Sequence, residues 1–264
     1  MKTFRKFFLI VPLVLFGFAT VSFPEATDTQ TASSPAQDSP PAIVKLSPTP
    51  TPSPTPKANF FKDVAHDQKT IWLSPFHLKR EDVKWLAPLA FTTAALIATD
   101  RKTSAWVDLN GTLPTASRRV SFAGSTYITG GAVAGFYLIG RATHDRRAQE
   151  TGELAAEALL DTAIVTEVLK FAAGRARPNE GNGNGHFFRG GSSFPSGHSS
   201  SAWAVATVIA YKYKDHPFIK YGAFAIAAAI SMSRYSGRNH FLGDVVVGSA
   251  IGFGIGRYVY STHR

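Results

Sequence analysis

Cysteine is absent from the 264-residue chain. Disulfides, thiolate metal sites and thiol nucleophiles are therefore excluded, and a lipoprotein anchor with them. Charged residues are sparse, at 17%, and acidic ones are the minority, 18 against 28 Lys and Arg, for a formal net charge of +10. Alternating runs of β-branched residues are missing, which removes the usual signal for half-buried strands. Hydrophobic residues make up 44% of the chain, too many for global disorder. The base excess suits anionic partners such as phosphates or anionic lipid. It forms no aromatic-interleaved stripe, so nucleic-acid binding is not indicated.

Residues 1–19 read as a signal peptide. Lys2, Arg5 and Lys6 precede an apolar run from Phe7 to Phe18, and Gly17 and Ala19 place small side chains before a cleavage site after Ala19. The run is shorter than the roughly 17–25 residues of a stable membrane span, although an uncleaved anchor is the competing reading. Residues 20–57 read as a linker. Most of the prolines lie there, amid Ser and Thr and including SPTPTPSPTP, a composition that extends rather than packs. The folded domain is expected over 58–264. Its apolar segments are helical in length: Trp85–Thr99, Ser121–Gly140, Gly152–Ala173, Ser199–Lys212, Phe218–Ser233 and Phe241–Tyr260. The fold class is all-α, with about six core helices in a bundle.

Three blocks carry the chemistry. The first runs from Lys170 through Arg177 to Pro178, with Lys170 in a last helical turn and Arg177 in a segment that proline holds extended. The second is Phe194-Pro-Ser196-Gly197-His198-Ser-Ser ahead of an apolar helix. A turn entering a helix there aims free N–H groups and the positive dipole end at an anion. Ser196 can donate a hydroxyl hydrogen bond, Gly197 lets the backbone approach a ligand, and His198 can exchange a proton. The third holds Ser233-Arg234 and then His240 and Asp244, four apart and on one face if helical. A carboxylate that accepts the Nδ1–H of His240 would leave Nε2 as a nucleophilic lone pair. Arg234 offers a planar fork to phosphate oxygens. Singly, each block has an ordinary structural reading: a basic helix end, an N-cap with a surface histidine, a surface ion pair. Together they hold three cations, two histidines, one carboxylate and a helix N-terminus, an inventory for phosphoryl transfer without a metal.

In these blocks the chain resembles the type 2 phosphatidic acid phosphatase superfamily, which includes bacterial acid phosphatases and vanadium haloperoxidases. That family's pattern is Lys-x6-Arg-Pro, then Pro-Ser-Gly-His, then Ser-Arg-x5-His-x3-Asp. Lys170 to Pro178, Pro195 to His198 and Ser233 to Asp244 fill every position. The resemblance implies a helical bundle with its site at one end. It implies that His240 forms a phosphohistidine, His198 protonates the leaving group and Asp244 orients His240. Lys170, Arg177, Ser196, Gly197 and Arg234 would bind the phosphoryl group. No metal or other cofactor is expected, and the substrate would be a phosphorylated lipid or a small phosphate ester. The rivals are a vanadium-dependent haloperoxidase and a non-catalytic envelope protein that captures phosphate. The loop Gly181–Arg189, with His186, is a candidate lid.

Location is weighed between two architectures. If the signal exports the linker and six helices all span, Lys170 ends the third span and faces the cytoplasm. Membrane members of the family usually face outward. An exported, periplasmic or envelope bundle, soluble or peripheral, removes that conflict and is the preferred expectation. An integral membrane protein with a retained signal is the alternative.

Overall fold

Caps and punctuating residues set where the helices begin and end. The computed structural model describes residues 59–77, 80–108, 117 and 126–264, so the expected signal peptide and the whole of the expected linker lie outside the described residues. Among the described residues the regular structure is entirely helical. The helices are α1 (Phe60–Leu73), α2 (Arg80–Asp108), α3 (Thr126–Ala142), α4 (Arg146–Ala173), α5 (Gly197–Lys212), α6 (Pro217–Ser236) and α7 (Leu242–His263), with a 3-10 turn over Ser74–His77. The all-α expectation therefore holds, and the six apolar segments become α2 to α7.

Helix α4 starts earlier than its apolar stretch because the Asp145 side chain caps the N–H of Ala148 at 3.2 Å. It stops where Gly174 turns left-handed at φ 52°, with its N–H on the Lys170 carbonyl at 2.9 Å. That stop holds Lys170 in the last turn and launches Arg175 to Arg177 across the bundle end. Helix α6 opens on Pro217, whose missing N–H costs nothing at a first helical position. Helix α1 was not foreseen. Its core-facing positions are Val64, Asp67 and Ile71, and the aspartate in the middle interrupts the apolar period.

The core forms where α4, α5 and α7 meet. Gly248, Gly252 and Gly256 lie four apart on α7 against the carbonyl oxygens of Ser196, Ser200 and Ala204 on α5. A side chain at any of the three would run into that backbone. The glycines thus bring two helix axes unusually close, and fix the start of α5 against the start of α7. Trp203 on α5 donates its indole N–H to Ser231 Oγ on α6 at 3.1 Å, which ties the third side of this group.

The helices alternate in direction. Helices α4 and α6 end, and α5 and α7 begin, at one end of the bundle. Asp100 of α2 reaches the same end, where it accepts from the Gly243 N–H at 2.9 Å. The outward faces are apolar. Tyr127, Ile128, Leu138 and Ile139 of α3, Ile164 and Val168 of α4, and Phe218, Ile226 and Met232 of α6 are all exposed. Among the described residues one helix, α7, is long and apolar enough to cross a membrane, and 78% of its apolar window is buried inside the bundle.

Candidate active site

His240 sits in the turn between α6 and α7 and is 2% exposed. The turn is closed by the Arg234 carbonyl, which accepts from the N–H groups of Asn239 at 3.1 Å and His240 at 3.2 Å. The Nδ1 atom lies 2.7 Å from the Ser193 carbonyl oxygen and 3.8 Å from Asp244 Oδ2. A carbonyl can only accept, so Nδ1 carries the hydrogen and Nε2 is left with its lone pair. The acceptor that orients the ring is thus a backbone carbonyl, and the direct carboxylate contact anticipated from the spacing is too long for a hydrogen bond. Burial pushes the His240 imidazole below its usual range, against the pull of the Asp244 charge.

Asp244 acts one step back. It is fully buried in the first turn of α7. Its Oδ2 accepts from Ser193 Oγ at 2.5 Å and from the Phe241 N–H at 2.9 Å, and its Oδ1 accepts from Arg175 at 2.6 Å. It therefore holds both flanks of His240: the residue that supplies the ring's acceptor and the residue next along the chain. The Ser196 N–H donates to the Asp244 carbonyl at 3.0 Å, which joins the second block to the third.

Arg175 has no part in the motif pattern, yet it is the largest fully buried side chain among the described residues. It bridges Asp244 and Asp100, the latter at 3.1 Å, and donates Nε–H to the Gly185 carbonyl at 3.0 Å. The rings of Phe187 and Phe241 lie 4.7 Å and 4.3 Å from its guanidinium carbon. Arg175, Asp100 and Ser193 are the site-supporting residues that the motifs missed. Arg175 had no signal in the motif spacing: it goes behind the site to Asp100 and Asp244, while Arg177 reaches Ser192. Asp100 had none, being 75 residues from its partner.

The phosphate-binding candidates come to the same end. Ser196 is the fully buried N-cap of α5, and its Oγ accepts from Ser199 Oγ at 3.1 Å. Gly197 opens the helix, and a side chain there would meet Lys170 Nζ at 3.1 Å. Lys170 also pairs with Glu167 at 2.6 Å. Arg177 donates to Ser192 Oγ at 3.0 Å. Arg234 is 9% exposed, and burial followed by the neighbouring Arg177 charge lowers its guanidinium to about 10. His198 is half-buried in the first turn of α5. Burial, then the charges of Arg234, His240, Lys170 and Arg177, lower its imidazole to about 4. Four of the groups picked out from the sequence thus act electrostatically on a fifth. The loop over Gly181–Arg189 packs into this end through Gly185, which abuts the Phe241 ring. His186 makes its contact through its backbone carbonyl, on the Ala176 N–H at 3.1 Å.

Residues 154–264 match the sequence model of the PAP2 superfamily, and every motif residue lies inside that range. This part of the chain is similar to the PAP2 superfamily. Two curated relatives agree. A PA-phosphatase related-family protein of Dictyostelium discoideum is 33% identical over 144 residues, covering 48% of this chain and 52% of its own. A lipid A 1-phosphatase of Porphyromonas gingivalis is 27% identical over 118 residues, covering 43% of this chain and 25% of its own. The chain thus spans about half the length of the first relative and a quarter of the second. A solved transmembrane PAP2-type phosphatidylglycerolphosphate phosphatase from Bacillus subtilis shares the fold, with a TM-score of 0.52 and 22% identity over 66% of this chain and 94% of that one. The matched range begins within α4, so α1 to α3 lie N-terminal to it.

Proposed function

We propose that the protein is a phosphatase acting on phosphorylated lipids through a phosphohistidine. The observation that carries this reading is the state of His240: buried, with Nδ1–H on a backbone carbonyl and Nε2 left with its lone pair, at the bundle end that also holds Lys170, Arg177 and Arg234. Nε2 attacks phosphorus, the bond to the leaving oxygen breaks, and His198 gives that oxygen its proton. Water then attacks the phosphohistidine, His198 takes a proton from it, and inorganic phosphate leaves with His240 restored. Lys170, Arg177 and Arg234 hold the equatorial oxygens, helped by the N–H groups at the start of α5.

The low position of His198 fits this cycle. Burial is the main cause of that low position, and the cations that add to it are those that a bound phosphoryl group neutralises. Substrate binding therefore raises the imidazole, and the proton arrives with the substrate. The reading is tested by quenching turnover of a 32P-labelled lipid phosphate and looking for acid-labile label on the protein. Label that survives acid, or none under single-turnover conditions, would sink it.

Two further results follow. His198→Ala should slow alkyl phosphates much more than nitrophenyl phosphate, by about 10²–10⁴-fold for the poor leaving group. An equal loss on both would remove the acid role. The second concerns pH. His240 must be neutral to attack, and burial holds its imidazole below the ordinary value of 6.5. As pH falls from 8, loss of kcat/KM through protonation of His240 should set in only below about 6.5. An acid limb centred above pH 7, on a substrate that does not itself titrate there, would contradict the neutral nucleophile.

We also propose that the bundle is embedded in a membrane, the alternative architecture of the sequence reading. The outward apolar faces of α3, α4 and α6 support it, since soluble monomers rarely expose apolar patches of that extent. The spanning band takes in Tyr127–Ile139, Ala202–Tyr211 and Phe218–Met232, and the site lies beyond its end. The site faces outward in this reading. The cysteine-free sequence allows a clean check. Cysteine placed at Asn182, near the site, should react with an impermeant maleimide on intact cells. Cysteine placed at Lys214, at the other end, should react only after lysis. The reverse pattern, or release of the protein by alkaline carbonate, would overturn the assignment.

A further inference from the structure

Helix α1 precedes the matched range and contributes no residue to the phosphatase site. It crosses the bundle away from that site. Gln68 donates to Asp161 of α4 at 2.8 Å. Asp67 accepts from the Tyr258 hydroxyl at 2.8 Å and lies 2.9 Å from His263 Nε2, at the end of α7. Asp161 stands nine residues before Lys170, about 14 Å along α4, and His263 nineteen residues past Asp244, about 28 Å along α7. Lys212, fifteen residues past Gly197 on α5, is at a similar depth of about 22 Å. There the outward apolar band gives way to charge, as Lys212 pairs with Glu150 at 2.7 Å and Arg147 pairs with Asp215.

The side chains of α1 sort into sectors. Val64, Asp67 and Ile71 are buried against the bundle. About 100° round the axis from them come Phe61, Ala65 and Trp72, all exposed. The exposed Phe76 follows in the 3-10 turn. About 90° further on, opposite the bundle, come Lys62, His66 and Lys69, all exposed, with Leu73 among them. Asp63 and Thr70 fill the remaining sector. The Trp72 indole N–H donates to Gln68 Oε1 at 3.0 Å, so its polar edge is satisfied and its ring can enter an apolar phase.

A helix held sideways at the rim of a membrane protein meets protein, acyl chains, headgroups and water in that order round its axis. Aromatic rings suit the boundary of the acyl layer, and lysines beside them meet lipid phosphates. A protein partner on this face would have to take up Lys62 and Lys69 next to the rings, and protein interfaces are depleted in lysine. We infer that α1 is an interfacial helix. Phe61, Ala65 and Trp72 enter the acyl boundary, and Lys62 and Lys69 bind the phosphates of anionic lipids, at the membrane face away from the phosphatase site. That placement rests on the embedded reading above, whereas the lipid contact itself does not.

The test uses the full chain in liposomes, where the absence of cysteine allows single labels. Ala65→Cys carries a fluorophore on the aromatic sector of α1, and Ile226→Cys carries one in the outward band of α6. Nitroxide-bearing phosphatidylglycerol and phosphatidylcholine serve as quenchers at equal mole fraction. Both should quench the Ala65 label, the phosphatidylglycerol by about twofold to fivefold more. Lys62→Gln with Lys69→Gln, or high salt, should bring that ratio close to one. An Ala65 label left in water while the Ile226 label is quenched would overturn the inference and leave the embedded bundle standing. Quenching at Ala65 alone would overturn the embedded bundle and support the lipid contact of α1. Equal quenching by the two lipids would overturn the anionic assignment, and so would a ratio that the lysine variants leave unchanged. A label shielded from water yet quenched by neither lipid would mean that a protein partner or a second copy covers the face, and would overturn the inference as well.

Discussion

Replacing His240 by alanine is expected to abolish phosphate release from both phosphatidic acid and p-nitrophenyl phosphate, by about 10³–10⁶-fold. The size of the effect follows from the absence of a substitute. The groups that face the proposed phosphoryl site are cations, hydroxyls and His198, and His198 is needed as the acid. Positive groups alone would still bind phosphate, so affinity for inorganic phosphate should survive within about tenfold. That split separates loss of chemistry from loss of the site. It is measured as steady-state release in EDTA, alongside phosphate binding by calorimetry. Activity within tenfold of wild type would refute the nucleophile assignment. Loss of binding together with turnover would mean that the buried ring mainly holds the turn between α6 and α7.

Arg175→Met should cost about 3–5 kcal/mol of stability, a large share of the total for a domain of this size. The guanidinium pairs with two buried carboxylates, Asp100 and Asp244, which are 1% and 0% exposed. Removing it strands both charges. Arg175→Lys should recover only part of the loss, because an ammonium cannot reach Gly185 and both carboxylates and does not stack between Phe187 and Phe241. Pairing Arg175→Met with Asp100→Asn should restore some stability, since one stranded charge is then gone. In whichever variant folds, kcat should fall more than KM rises. Asp244 would be free to move, and with it Ser193 and the hydrogen bond that fixes the His240 ring. Thermal unfolding in detergent reads the first effect and steady-state kinetics the second. A loss under about 1 kcal/mol would show that water or protons satisfy the carboxylates and that Arg175 is not their support.

The two predictions mark a boundary in what could be read ahead of the fold. Lys170, Arg177, Ser196, Gly197, His198, Arg234, His240 and Asp244 were all legible, because their spacings are local and each block carries its own helix start or stop. The role of Asp244 was only half legible. An i,i+4 pair puts two side chains on one face, but whether they touch depends on where the helix begins. Here α7 begins after His240, so the ring turns to Ser193 and the carboxylate turns to Arg175. Helix α1 escaped notice because the residues it buries include Asp67, whose burial makes sense only once Tyr258 and His263, nearly two hundred positions away, are in place.

By itself, the sequence determined the helical class, the three motif blocks, their order and the residue types available for chemistry. Those features depend on period, capping and covalent neighbourhood, and a linear chain contains all three. Only the tertiary structure decided that Arg175 goes behind the site while Arg177 faces it, that Asp100 joins Asp244, and that a carbonyl rather than a carboxylate orients His240. It also decided that α1 docks through Asp67 against the end of α7. Such pairings depend on which helix faces lie together, and here that is set by the close approach of α5 and α7 along Gly248, Gly252 and Gly256, a contact between segments that no local pattern joins.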